Sequence, residues 1–138
     1  MTLDLDYLSL ELGPKPDLLR VTWHGAVSLA ELQHGYAHVQ AAAQRFQAGR
    51  WFVDSRYRPL PLPPEQAHWL HHEFLPAVFP LFAEPLRLAC LLTPAQLEAL
   101  WQDPERSAKA RALTDPDRPF WLSFFDNERT AWQWLQAE

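Results

Sequence analysis

The sequence is poor in cysteine, glycine and lysine, and each shortage closes off a class of protein. Among 138 residues there is one cysteine, Cys90. One thiol cannot form an internal disulfide, and no CxxC pair is present to hold zinc or carry redox chemistry. Its setting, Leu86-Arg87-Leu88-Ala89-Cys90-Leu91-Leu92, reads as a buried strand in which the thiol is a small hydrophobe. Lysine occurs twice against 10 arginines, and the formal charge is −5. The basic surplus that nucleic-acid binding draws on is therefore missing. No apolar run approaches the ~18 residues of a membrane helix. Met1-Thr2-Leu3-Asp4-Leu5-Asp6 has neither the basic segment nor the apolar stretch of a signal peptide. The expectations are no nucleic-acid partner, no transmembrane segment and a cytoplasmic location. Glycine is scarce at 4 while proline reaches 13, so proline more than glycine marks where elements end.

What is present describes a folded domain. Hydrophobic residues make up 48% and charged residues 21%, near the averages for globular chains. The length suits a single domain over 1–138, large enough to fold without disulfide or structural metal. Leu5 to Leu12 reads as a first strand and Leu18 to Trp23 as a second, joined through the turn Gly13-Pro14-Lys15-Pro16-Asp17 and ended by His24-Gly25. Ser28 and Glu31 form a capping box. Leu29, Leu32, Tyr36, Val39, Ala43 and Phe46 follow as one helical stripe, with Gly49 as its C-terminal cap.

Trp51-Phe52-Val53 is a short, wholly apolar strand, the pattern of a central parallel strand covered on both faces. A loop of about ten residues leads to a second helix starting near Glu65. Its stripe is Ala67, Leu70, Phe74, Ala77 and Val78, and Pro76 should kink or end it. A strand over Leu86–Leu92 comes next. Thr93-Pro94-Ala95-Gln96 caps a third helix, and Asp103-Pro104 restarts helical signals through Leu113. A loop from Thr114 to Pro119, a strand over Phe120–Phe125 and a final helix capped by Asp126 complete the order β-β-α-β-α-β-α-β-α. The fold class is α/β: a mixed, mostly parallel sheet of about five strands with helices on both faces.

Three stretches stand out in this order: Val21-Thr22-Trp23-His24-Gly25 before a capped helix, Trp51-Phe52-Val53-Asp54-Ser55-Arg56 as a strand with an acidic-x-Arg loop, and Phe124-Phe125-Asp126-Asn127-Glu128 through Ala131-Trp132-Gln133-Trp134-Leu135. Together they resemble the STAS-like family of small bacterial proteins related to anti-sigma-factor antagonists, also described as STAS/SEC14-like. The resemblance spans most of the chain. It implies a STAS-type α/β fold and a role in regulation or binding rather than catalysis. In phosphoswitch members a serine after the central strand is phosphorylated beside a helix N-terminus, and Ser55 holds a similar place. Here the next helix is about ten residues on, and Arg56, Tyr57 and Arg58 replace the small residues around that serine. Ser55 therefore reads as a turn serine.

Ligands of open α/β sheets bind at the carboxyl ends of the strands. That edge should gather His24, Asp54, Ser55, Arg56 and Arg58 as candidate ligand- or partner-binding residues. The arginine forks suit a carboxylate or phosphate; the plainer alternative is that Asp54 pairs with Arg56 and pins the loop. His34 and His38, like His68 and His72, are spaced to share a helix face. Both pairs lie opposite their apolar stripes, and crossovers running in opposite directions would separate them, so no metal site is expected. Phe74 to Phe82 is aromatic-rich and broken by proline: a cap over the core, or an apolar patch for dimerisation, lipid or hydrophobic ligand. Trp69, Phe79 and Phe82 are its candidate interface residues. Trp23, Trp51 and Trp134 read as core. The expected function is a non-catalytic regulatory or protein-interaction module without cofactor, with a protein partner or a homodimer. The alternative is a carrier or sensor for a small anionic or lipid-like ligand. An enzyme using Asp54, His24 and Arg56 lacks an activated nucleophile beside a base.

Overall fold

The computed structural model describes residues 2–13, 15, 17–115 and 117–137. Of the expected turns, Pro14, Pro16 and Pro116 lie outside the described residues. The chain is α/β, as its pattern predicts, but the sheet has six strands rather than about five. The segment read as one strand over Leu5–Leu12 is the second half of a hairpin. Strand β1 (Thr2–Leu5) pairs antiparallel with β2 (Leu8–Leu12), with Leu5 opposite Leu8 across a two-residue turn. Strand β2 then pairs antiparallel with β3 (Leu18–Trp23). From β3 onward every pairing is parallel: β4 (Arg50–Asp54), β5 (Leu86–Leu91) and β6 (Phe120–Phe125). The spatial order is the chain order, β1-β2-β3-β4-β5-β6.

That order decides which face each helix covers. Successive crossovers all step in the same direction, and right-handed crossovers of one direction put their helices on one face. Helix α1 (Leu29–Phe46) buries Leu32, Tyr36 and Val39 against Leu10, Val21, Trp23, Trp51 and Val53 of the sheet. The second crossover packs Phe74, Leu75 and Val78 into the same cluster. The crossovers therefore do not run in opposite directions, and both histidine pairs ride helices of one face. Helices α4 (Pro94–Gln102) and α5 (Pro104–Leu113) close a smaller cluster of Leu92, Leu100 and Ala110, joined by Phe124 to the main core. The opposite face is covered by α6 (Glu128–Gln136), whose Ala131 and Leu135 pack on Leu18, Phe52, Ala89 and Leu91. Trp51 and Phe52, neighbours in sequence, are fully buried on opposite faces. The central place read for Trp51-Phe52-Val53 is what the pairing shows.

Local signals set most boundaries. Both capping boxes form: Ser28 Oγ accepts the Glu31 N–H at 3.1 Å, and Thr93 Oγ1 accepts the Gln96 N–H at 3.1 Å. Two expected caps are displaced. Helix α1 ends on Gln47, whose φ of 51° is left-handed, rather than on Gly49. The Gln47 amide donates back to the Gln44 carbonyl at 2.9 Å, and the Ala48 N–H closes onto Ala43 at 2.8 Å. Those bonds satisfy carbonyls the helix end leaves open. Helix α6 is capped by Asn127, which accepts the Thr130 N–H at 3.0 Å, rather than by Asp126.

The second crossover does not stop at Pro76. It runs as α2 (Pro64–His68), a π-helical turn (Trp69–Phe74), α3 (Leu75–Val78) and a 3-10 turn (Phe79–Leu81). Pro76 has no N–H for the His72 carbonyl, and the helix widens one turn before it, with the Leu75 N–H bonding Leu70. The extra residue rotates the buried stripe, so Leu75 is buried while Ala77 is exposed. No helix among the described residues is long and apolar enough to cross a membrane.

Candidate functional site

The carboxyl edge of the sheet brings the predicted residues near one another, yet the sheet divides them between its two faces. Asp54 ends β4, is fully buried, and stands beside Thr22 of β3. Its carboxylate is saturated. The Arg56 backbone N–H reaches Oδ1 at 3.1 Å, Arg56 Nε reaches Oδ1 at 3.1 Å and Arg56 Nη2 reaches Oδ2 at 2.8 Å. Arg20 adds a contact to Oδ2 at 3.5 Å and donates to Glu128 Oε1 at 2.7 Å. The network of two arginines and two acids is neutral. Bidentate geometry is the strong form of this pairing, and the Arg20 guanidinium holds the Glu128 carboxyl below its ordinary range. Arg20 also stacks over Phe52, 4.9 Å from the ring centre, and Phe52 carries Trp132 at 4.4 Å.

Asp54 and Arg56 thus pair as their spacing allows, on the α6 face. Ser55 is buried, and its N–H donates to the Leu91 carbonyl at 3.0 Å. His24 is exposed and joins Ser9 Oγ at 2.8 Å; among the described residues no hydrogen bond links it to Asp54. Arg58 belongs to the other face. It is 6% exposed, and its guanidinium lies 5.1 Å from the Trp23 ring centre. Its backbone is fixed by Gln96, which donates to the Arg58 carbonyl at 3.2 Å. Burial lowers the Arg58 pKa, opposed by the neighbouring Tyr36 and Cys90. Burial pushes both of those up to about 12, so both are uncharged at neutral pH.

Trp69, Phe79 and Phe82 are partly buried and packed against the main core. Trp69 touches Tyr36 and Phe74, with ring centres 6.0 and 5.2 Å apart. Of the Phe74–Phe82 stretch, Phe74, Leu75 and Val78 are buried in that core and Leu81 is exposed. Each histidine pair is in contact, with His34 and His38 Nε2 atoms 3.3 Å apart and the His68 and His72 ring centres 4.8 Å apart. Among the described residues no group of three or more His, Cys, Asp or Glu could hold a metal ion.

Four contributors escape a reading by sequence. Arg20 and Glu128 join the Asp54 network across separations of 34 and 108 residues, with no local signal. Trp23 and Tyr36 read as packing because their apolar bodies fill the helix–sheet seam, which hides the polar tip each carries. No family model, curated protein or solved structure matches the chain.

Proposed function

We propose that the chain is a non-catalytic regulatory or protein-interaction module of STAS-like type, working from the carboxyl ends of its parallel strands. One observation carries the reading. The loop after β4 presents Tyr57, 58% exposed, with the Arg56 guanidinium 5.3 Å from its ring centre. The loop is held on every side: Arg56 by Asp54, the Tyr57 carbonyl by the Gly25 N–H at 2.9 Å, and Arg58 by its burial. A tyrosine and an arginine on a fixed loop have the composition of a binding hot spot, and rigidity lowers the entropy lost on association. The same geometry speaks against catalysis. The Asp54 carboxylate is occupied by guanidinium groups, His24 is turned to Ser9, and the Cys90 thiol is protonated. The α/β order and the three quoted stretches support the STAS-like assignment.

The test is photocrosslinking in cells with benzoylphenylalanine placed at Tyr57, and separately at Trp121, which is also exposed but lies at the amino end of β6. A discrete adduct from position 57, with a second protein or a second copy of the chain, and none from 121 is the expected result. Adducts from 121 alone, or none from 57, overturn the reading. A second reading, a carrier or sensor for a small anionic or lipid-like ligand, is favoured by the burial of Arg58 without a carboxylate.

A further inference from the structure

Three arginines of the sheet region meet acids: Arg20 meets Asp54 and Glu128, Arg50 meets Asp17, and Arg56 meets Asp54. Arg87 of β5 instead donates to the Ala137 carbonyl and lies over Trp121. Arg58 meets no acid among the described residues and is buried. Among the described residues no carboxylate lies within 4.0 Å of its guanidinium. Buried charges are normally paired, and the Trp23 ring offers only partial compensation.

Beside Arg58 lies the Tyr36 hydroxyl, a neutral hydrogen-bonding neighbour rather than a counter-charge. Tyr36 and Cys90 are uncharged, as above. Trp23 Nε1 is buried with no hydrogen-bond partner, whereas the equivalent atom of Trp51 donates to the Ala48 carbonyl at 2.8 Å. Arg58 also lines a cavity of about 150 Å³ between the turn after β3 and the proline-rich loop before α2, well above the ~10–15 Å³ that one water needs. Val27, Pro59, Pro61 and Leu62 make its wall apolar, and the Gln66 amide beside them is already spent on the Val27 carbonyl at 2.8 Å.

We propose that this cavity binds a short-chain aliphatic carboxylate, its head on the Arg58 guanidinium and its tail against Pro59, Pro61 and Leu62; the proposal deepens the carrier or sensor reading and rests on it. One fixed cation calls for one negative charge. A phosphate dianion would leave surplus charge in a low-dielectric site, while a carboxylate matches the guanidinium fork and leaves its chain for the apolar wall. Trp23 and Tyr36 do not line the cavity but flank Arg58 from the core, so the Trp23 indole reports on what happens at the guanidinium.

The test titrates the full chain with sodium butyrate at fixed ionic strength, following the Trp23 indole N–H by NMR and the melting temperature. Inorganic phosphate, chloride and neutral butyramide are the comparison probes. Butyrate should shift the Trp23 resonance saturably in the millimolar range and raise the melting temperature, and butyramide should do neither. Arg58→Met should abolish the response. Arg58→Lys, which keeps the charge without the fork, should weaken binding by about tenfold and keeps the test open if the methionine variant does not fold. A response to phosphate or chloride without one to butyrate overturns the carboxylate assignment and leaves an anion site standing. Silence toward all three anions overturns both, as does an undiminished butyrate response in Arg58→Met.

Discussion

Gly35 lies inside α1, where a glycine costs a helix about 0.8–1.0 kcal/mol relative to alanine. The cost is offset by closeness. A Cβ at this position would fall 2.7 Å from Trp23 Cη2 and 3.1 Å from Leu8 Cδ2, so the glycine lets the helix settle on the indole. Gly35→Ala is therefore expected to lower stability by about 1–3 kcal/mol in urea unfolding, overpacking outweighing the gain in propensity; a more stable variant would mean that Trp23 has room to move. Asp54 makes the opposite kind of fixed contact, a fully buried acceptor for the two arginines. Asp54→Ala should cost about 3 kcal/mol, and Asp54→Asn, which keeps one acceptor oxygen, should cost less. If the two variants unfold alike in urea, the carboxylate contacts contribute little. At this scale the sequence was half legible. The Asp54–Arg56 pair can be anticipated because a single residue separates them. Arg20 and Glu128 cannot, because only the sheet order and the return of α6 bring them to the same carboxylate.

Elements whose determinants are local were readable, and those shaped by tertiary packing were not. The Ser28–Glu31 and Thr93–Gln96 boxes need only four adjacent residues and form as read. The π-helical turn Trp69–Phe74 escapes such a reading, because Pro76 announces a broken hydrogen bond without saying whether the helix bends, stops or takes in an extra residue. Widening here lets Phe74, Leu75 and Val78 all reach the core. It also half-buries His71, whose Nδ1 has no partner. Burial, reinforced by His72, Arg118 and Lys109, lowers the His71 pKa to about 4. In the unfolded chain it titrates near 6.5, so as pH falls below that value the unfolded state takes up the proton first. Stability from the neutral ring is complete above about pH 6.5 and drains away toward pH 4. Between pH 7.5 and pH 5 the loss should be about 2 kcal/mol, at 1.36 kcal/mol per pKa unit. His71→Leu should remove that part of the acid sensitivity in paired melts, and an unchanged slope would show that His71 is not its source.

At the scale of the molecule the two faces of the sheet are unequally covered. Because the strands lie in chain order, the crossovers between β3 and β6 spend their helices on one face, and the other is left to α6. The alternation of β with α correctly predicts an α/β sheet with helices on both faces. It cannot predict this asymmetry, since strand order is a property of long-range pairing. Strands β1 and β2 tolerate an open face because Asp4, Ser9 and Glu11 lie on it. Strands β4 and β5 do not, since Phe52, Ala89 and Leu91 point there. Helix α6 is tied down at both ends: Glu128 to Arg20 at its start, and the Leu135 carbonyl to Arg50 at 3.1 Å near its end, where a cation also meets the helix dipole favourably. Such a helix should belong to the cooperative unit rather than fray separately. Leu135 is fully buried between α6 and the sheet, and Leu135→Ala should lower global stability by about 2–5 kcal/mol with an unchanged urea m-value. Amide exchange should agree, with protection in α6 falling together with that in β4 and β5. Loss of protection in α6 alone would make the helix a detachable cover, and the Asp54–Arg56 loop, which meets Glu128 through Arg20 and through Arg56 itself at 3.9 Å, would then have to hold its shape without it.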